Sequence, residues 1–183
     1  MKMDMRPKSK EEKRAVLRSR AKELAKVTEK EASQSDLTEI ILFRLASETY
    51  GLETGFVREV FPLNDFTPLP GTPPFVLGVI NVRGQIVSVL NIKKFFELPE
   101  TGISELNKLI IIRNDEMEFG ILADEILEIR TIEPGELHQS LPTLSGIREK
   151  YLKGITAGPL IILDVAKLLM DENIIINEEV AMK

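Results

Sequence analysis

The chain has 183 residues, a net charge of −5 at pH 7 and no cysteine. The absence of cysteine excludes disulfides, thiolate nucleophiles and cysteine metal ligands, and with them a thiol-based redox role. No apolar run approaches the roughly 20 residues of a membrane-spanning helix, and the charged N-terminus lacks the apolar segment of a secretory signal. We therefore expect a cytoplasmic protein.

Charge is distributed unevenly along the chain. Residues 1 to 35 hold eleven Lys or Arg and six Asp or Glu, a net charge of +5, so the remaining residues carry −10. Because affinity for nucleic acid comes largely from Lys and Arg neutralising phosphates, an acidic body disfavours nucleic-acid binding. The basic tail alone could still contact an anionic surface.

The first element is a predicted helix in this tail. Residues 11 to 30 are rich in helix formers, with Leu17, Ala21 and Leu24 on one face. The apolar stripe is narrow, which favours a solvated helix, although a partner-binding helix stays open. The sequence "SQSD" predicts a linker, so we divide the chain into an N-terminal extension with linker at 1–36 and a second domain at 37–183.

Strand patterns begin after the linker. The segment "EIILFRLA" places Ile41, Phe43 and Leu45 on one face, as in a half-buried strand. Further β-rich runs follow, separated by Gly- and Pro-containing turns, and no helical pattern long enough for a βαβ crossover lies between them. The sequence therefore predicts a mainly β, mainly antiparallel fold.

An internal repeat organises these strands. The segment "YGLETGFVREV" at 50–60 aligns with "FGILADEILEI" at 119–129, which pairs Glu59 with Glu128. A second pair of segments, "SVLNIKKFF" and "IILDVAKLL", each reads as a strand, a polar residue and a turn of helix. The polar residues, Asn91 and Asp164, are candidate N-caps.

The repeat predicts two similar lobes over residues 40 to 172, each ending in a short helix, near 93–97 and 165–170. Short antiparallel strands repeated in this way suggest two small β-barrels packed side by side, because closure removes exposed sheet edges. Each lobe is too small for a large interior cavity, which favours a cleft or a strand surface as the docking place for a partner.

The catalytic inventory is poor. His138 is the single histidine and lies in a predicted loop, so a site with several histidine ligands cannot form, and we expect it to be exposed. Asp124 and Glu125 are adjacent, so on a strand they would point to opposite faces, and solvated polar positions explain them better than a catalytic pair. No phosphate-binding glycine motif occurs. We expect no enzymatic activity, no cofactor and no metal.

The segment "GVINVRGQIVSVLNIKKFF" resembles the hairpin signature of the CheW domain of bacterial and archaeal chemotaxis. The similarity extends over "VREVFPLNDFTPLPGTPPFVL", "LIIIRNDEMEFGILADEILEI" and "YLKGITAGPLIILDVAKLL", nearly everything after the tail. The resemblance implies two SH3-like β-barrel lobes and a non-enzymatic adaptor, without nucleic-acid binding or membrane insertion. Such an adaptor couples the cytoplasmic tip of a chemoreceptor to the regulatory domain of the histidine kinase CheA, at membrane-associated receptor arrays.

The resemblance also assigns a receptor-binding surface to Glu59, Arg83 and Gly84. We expect the hairpin turn to place Asn81 and Gly84 where positive φ is tolerated, and to lift Arg83 away from the apolar strands. From the sequence alone, Arg83 is better explained as a turn arginine satisfied by solvent, and the resemblance reverses this preference. We expect the side chains of Arg83 and Glu59 to approach one another.

Kinase contact is assigned by the same resemblance to Ile41, Thr54 and Val57. Apolar strand residues are more often core than interface, so this role requires Ile41 and Val57 to be partly exposed. Two other function classes stay open, a small β-barrel that binds oligonucleotides and an enzyme using Asp/Glu pairs in a cleft. Within the adaptor class, a pilus-type or other non-flagellar chemosensory pathway is an alternative to a flagellar one.

Overall fold

A computed structural model of the chain describes residues 37–63, 65–100, 102–103, 107–138, 147–172 and 174. The chain divides into two compact units, Met1–Leu37 and Thr38–Lys183. The predicted N-terminal helix and linker lie outside the described residues, and so stay predictions.

Within the described residues the second unit forms ten strands and three short α-helices. The strands are β1 (Thr38–Leu45), β2 (Glu48–Glu53), β3 (Val57–Pro62), β4 (Val76–Val82), β5 (Gln85–Leu90), β6 (Lys108–Arg113), β7 (Glu118–Ala123), β8 (Glu125–Ile132), β9 (Leu152–Ile155) and β10 (Leu160–Leu163). The helices are α1 (Ile92–Phe95), α2 (Ile147–Lys150) and α3 (Val165–Leu169), and two 3-10 turns occupy Thr54–Phe56 and Pro134–Glu136. No helix among these is long and apolar enough to cross a membrane.

The strands form two five-stranded sheets. Sheet A has the order β8-β1-β2-β10-β9, and sheet B has the order β3-β6-β7-β5-β4. Neighbouring strands are antiparallel except for one pair in each sheet, β2 with β10 and β5 with β7. The predicted mainly β, mainly antiparallel fold is confirmed.

The internal repeat is visible in the strand order. When the two strand orders are aligned, each strand of the first repeat, β1–β5, stands opposite the strand five later in the chain, β6–β10. Strand β1 thus has the same position in sheet A as β6 has in sheet B, and the same holds for the other four pairs. The lobes are not sequential halves of the chain, however. The hairpin β1–β2 joins sheet A with three strands of the second repeat, and β6–β7 joins sheet B with three strands of the first.

Within the described residues, one isolated bridge in each sheet connects its two edges. The segment after β3 returns to β4 through a bridge between Thr67 and Val79, and the segment after β8 returns to β9 through a bridge between His138 and Ile155. Since β3 and β4 are the two outer strands of sheet B, and β8 and β9 those of sheet A, each bridge links opposite edges. The predicted pair of barrel lobes is confirmed in this looser form.

The main core lies between the two sheets. It combines Phe43 and Tyr50 of sheet A with Ile110 and Phe119 of sheet B, all at most 1% exposed. Helices α1 and α3 add apolar side chains to the same cluster. A smaller apolar cluster lies on the other face of each sheet. Strand β1 contributes to the clusters on both faces of sheet A, so it is buried on both faces from Ile40 to Phe43.

Both predicted helix caps are present. The Asn91 side chain accepts a hydrogen bond from the Lys93 N–H at the start of α1, at 3.2 Å. The Asp164 side chain accepts one from the Lys167 N–H at the start of α3, at 3.1 Å. Each cap satisfies a backbone donor that a helix terminus leaves unpaired, so strand and helix meet at a fixed corner in both repeats.

Candidate functional site

The β4–β5 hairpin presents a two-residue turn. Val82 pairs with Gln85, which leaves Arg83 and Gly84 as the turn residues. Their φ angles are 53° and 89°, the combination of a type I′ turn. The Asn81 side chain accepts a hydrogen bond from the Gly84 N–H at 2.7 Å. Positive φ was predicted correctly for Gly84 and wrongly for Asn81, which lies on β4 and stabilises the turn through its side chain.

The predicted approach of Arg83 and Glu59 is confirmed. Arg83 Nη2 lies 3.1 Å from Glu59 Oε2, with the arginine side chain 77% exposed and the glutamate 17% exposed. These residues belong to opposite edges of sheet B, because Glu59 lies on β3 and Arg83 follows β4. The ion pair therefore joins the two edges of sheet B that the Thr67–Val79 bridge also connects. This junction is here called the seam.

A β-bulge brings a second arginine to the same glutamate. On β3, Val57 pairs with Ile112 of β6 and Glu59 pairs with the next residue, Ile111. Arg58 is therefore an extra residue on β3. A bulge removes the strict alternation of side chains, so neighbours along a strand can point to the same side.

Arg58 joins two carboxylates. Its Nε lies 3.4 Å from Glu59 Oε1, and its Nη1 lies 2.6 Å from Glu118 Oε1. Arg83, Glu59, Arg58 and Glu118 thus form one row of alternating charges, here called the charge row. Sequence reasoning missed Arg58 and Glu118, since a regular strand would place Arg58 and Glu59 on opposite faces.

The charge row ends at a small cavity. Glu118 is one of the residues around a cavity of about 190 Å³ on sheet B. The other lining residues are mostly apolar, namely Leu69, Thr72, Val76, Ser88, Leu90, Met117, Phe119 and Ile174. A charged rim beside an apolar depression is the surface character expected at a protein docking site.

The predicted kinase-contact residues lie near the 3-10 turn between β2 and β3. Thr54 is half-buried, and its hydroxyl lies 3.2 Å from the Glu39 carbonyl and 3.0 Å from the Glu39 carboxylate. Val57 is half-buried against the main core. Ile41 is only 5% exposed, so it lacks the partial exposure that its predicted kinase contact requires, and that contact stays a prediction. Its cross-strand neighbour Ile129 is 61% exposed.

Asp124 is not a solvated residue, contrary to prediction. It lies at the corner between β7 and β8, where its carboxylate contacts the ammonium of Lys93, whose side chain is 1% exposed. It also accepts hydrogen bonds from the Ala46 N–H at 2.7 Å and from Asn107 Nδ2 at 3.2 Å. Glu125 is exposed, as predicted.

Two buried tyrosines have raised pKa values. Tyr50 donates a hydrogen bond to Glu48 at 2.7 Å, and burial together with this bond raises the pKa of Tyr50 well above its usual value. Tyr151 donates to Asp171 at 2.6 Å, and burial raises the pKa of Tyr151 as well. Arg148 Nη1 lies 3.1 Å from Oε2 of Glu48, the carboxylate that also accepts the Tyr50 hydrogen bond. Protonated tyrosines bonded to carboxylates are structural donors here.

His138 is exposed, as predicted, and its backbone forms the bridge to Ile155. Among the described residues, no group of three or more His, Cys, Asp or Glu could hold a metal ion. The chemical features of the described surface are thus the charge row, the cavity beside it and the half-buried residues around the first 3-10 turn.

A family model described as "CheW-like domain" matches residues 39–173, nearly the whole of the second unit. The chain belongs to the CheW family. The match includes the β1–β2 hairpin, the β4–β5 turn with the charge row and both helix caps, and it begins after the N-terminal extension.

Named relatives agree with this family assignment. The chain is 27% identical to the chemotaxis protein CheW of Treponema pallidum over 74% of this chain and 84% of that protein. It is 32% identical to the chemotaxis protein CheW of Thermotoga maritima, over 78% of this chain and 93% of the other. The fold matches the crystal structure of the scaffolding protein TtCheW from Thermoanaerobacter tengcongensis with a TM-score of 0.63, 31% identity, and coverage of 69% and 83% of the two chains. The function class of this CheW-like chain is a scaffold of chemotaxis signalling.

Proposed function

We propose that this CheW-like chain is a non-enzymatic adaptor that couples chemoreceptors to the histidine kinase CheA. It binds the cytoplasmic tip of the receptor hairpin with one surface and the regulatory domain of the kinase with another. It acts in the cytoplasm and is recruited to receptor arrays at the membrane. The family match over residues 39–173 and the similarity to a scaffolding protein support this proposal.

The Arg83–Glu59 ion pair is the observation that supports receptor binding by this surface. The type I′ turn projects Arg83 from the lobe, and the glutamate beneath it limits where the guanidinium can lie. Gly84 belongs to this surface because its φ of 89° and its hydrogen bond to Asn81 shape the turn. An exposed arginine held in one place can bind carboxylates or carbonyl groups of a helical hairpin with two hydrogen bonds at once.

The kinase side uses Thr54 and Val57. Both are half-buried next to the 3-10 turn, so each offers part of its side chain to a partner. Ile41 supports this surface from the core. Val57 and Glu59 both lie on β3, so one strand contributes to both partner surfaces.

Formation of a ternary complex tests the proposal. Sedimentation velocity on mixtures of this chain, a receptor cytoplasmic fragment and a kinase regulatory domain should show one species containing all three. Two variants serve as controls. Arg83→Glu reverses a charge on the receptor surface and should lose receptor binding, and Thr54→Arg places a bulky charge on the kinase surface and should lose kinase binding. Failure of the unmodified chain to bind either partner, or binding of only one at a time, would contradict the adaptor function.

A further inference from the structure

We infer that Arg58 is a positioning residue of the receptor surface, which holds Glu59 and through it Arg83 in the binding orientation. This inference rests on the proposed receptor-binding role of Arg83. It assigns a function to a residue that makes no part of the predicted receptor surface.

The two oxygens of Glu59 are divided between two arginines. Oε2 lies 3.1 Å from Arg83 Nη2, and Oε1 lies 3.4 Å from Arg58 Nε. Arg58 is held from its other side by Glu118, at 2.6 Å from Nη1. The glutamate therefore contacts a neighbour that Glu118 holds in turn.

Exposure separates the roles of the two arginines. The Arg58 side chain is 18% exposed and the Glu59 side chain 17%, whereas Arg83 is 77% exposed. A mostly buried ion pair is less screened by water and salt than an exposed one. The Arg58–Glu59 contact thus anchors the row, and Arg83 is the member left accessible to a partner.

Anchoring matters because binding orders side chains. An arginine that samples many rotamers before binding loses that freedom in the complex, and the loss weakens affinity. A fixed Glu59 carboxylate restricts Arg83 in advance, so less freedom remains to be lost. The expected effect of Arg58 is on affinity for the receptor and only slightly on the stability of the fold.

The side chain at position 58 must be arginine for this role. The planar guanidinium offers Nε and Nη1 to two different carboxylates at once, while a lysine ammonium is a single compact charge. Arg58→Lys keeps the charge and loses the two-sided geometry, and Arg58→Gln loses both. Both variants should therefore release Glu59.

The test combines a measurement on the free protein with a binding measurement. The heteronuclear NOE of the Arg83 Nε–Hε group should fall in Arg58→Gln and Arg58→Lys, reporting a more mobile side chain. Titration with a receptor cytoplasmic fragment should show affinity about threefold to tenfold weaker than wild type, in the range of coupled neighbours. Combining Arg58→Gln with Arg83→Ala should weaken binding no further than Arg83→Ala alone.

Arg44→Gln is the matched control, because it breaks an exposed pair with Glu125 in sheet A at 3.5 Å. It should change neither the NOE nor the affinity. Glu118→Gln, which leaves Arg58 in place and loosens its second anchor, should shift both measurements in the same direction by less.

An unchanged Arg83 NOE in Arg58→Gln, or affinity losses that multiply in the double variant, would overturn the positioning role. Wild-type receptor affinity in Arg83→Ala would instead overturn the proposed receptor surface. In that case the NOE comparison would still decide whether Arg58 orders Arg83.

Discussion

The ammonium of Lys93, buried in helix α1, contacts the carboxylate of Asp124 at the corner between β7 and β8. The two residues come from different repeats, so the pair joins the helix of the first repeat to a strand corner of the second. Asp124 also accepts the Ala46 N–H in the β1–β2 turn, where Ala46 has a φ of 54°. One carboxylate thus links three parts of the second unit.

Asp124→Ala is expected to destabilise the fold strongly, because it removes the opposite charge next to a lysine side chain that is 1% exposed. Breaking a buried ion pair from one side costs about 3 kcal/mol or more in unfolding free energy. Urea unfolding should show this loss, and Lys93→Met combined with Asp124→Leu should recover part of it. Single and double variants within about 1 kcal/mol of wild type would show that the pair is not a structural link.

Gly78→Ala tests the closure of sheet B. Gly78 has a φ of 147°, and a Cβ there would lie 2.1 Å from the Thr67 carbonyl oxygen, which accepts the Val79 N–H. The alanine must displace the bridging segment, so we expect a loss of about 2 to 4 kcal/mol in the free energy of unfolding. Gly55→Ala is the control, since no atom lies within 4 Å of its Cβ position. Equal stability of the two variants would contradict this account of the seam.

Strand types and repeat equivalence could be predicted from the sequence, because side-chain alternation and turn residues are local signals. The exchange of hairpins between lobes could not, since strand partners are chosen by contacts distant in the chain. The burial of Ile41 could be predicted as one of two alternatives, because alternation places it with Phe43 and Leu45 on one apolar face, and all three belong to the main core. Arg58 and Glu118 were missed because a bulge breaks the alternation on which such reasoning depends.

The buried tyrosines predict alkaline destabilisation. Burial and a hydrogen bond to Glu48 raise the folded-state pKa of Tyr50 above its usual value, and burial also raises the folded-state pKa of Tyr151. A raised folded-state pKa contributes stability below the unfolded-state value of about 10, and that stability is lost as pH rises further. The free energy of unfolding should therefore fall above about pH 10. Tyr50→Phe should reduce this slope, and an identical slope in the variant would contradict the assignment.

Deletion of residues 1–35 is expected to leave the second unit folded. Strand periodicity begins after the predicted linker, β1 begins at Thr38, and the family match begins at residue 39. The melting temperature, followed by circular dichroism, should change by less than about 3 °C. A larger decrease would show that the N-terminal extension contributes to the stability of the fold.

We propose that Arg83 serves receptor binding and not the stability of the fold. Its ion pair with Glu59 is 77% exposed on the arginine side, so Arg83→Ala should change the thermal transition little. Arg44→Ala is the control, because it removes an arginine of another exposed pair.

The most direct measurement is separate titration of wild type, Arg83→Ala and Arg44→Ala with a receptor cytoplasmic fragment and with the kinase regulatory domain. Arg83→Ala should lose about 1 to 3 kcal/mol of receptor binding, the range of interface arginine anchors, while its kinase affinity and both affinities of Arg44→Ala stay at wild-type values. Equal receptor affinity of Arg83→Ala and wild type would contradict a receptor-binding role for Arg83, and unfolding of Arg83→Ala would instead assign the residue to the fold.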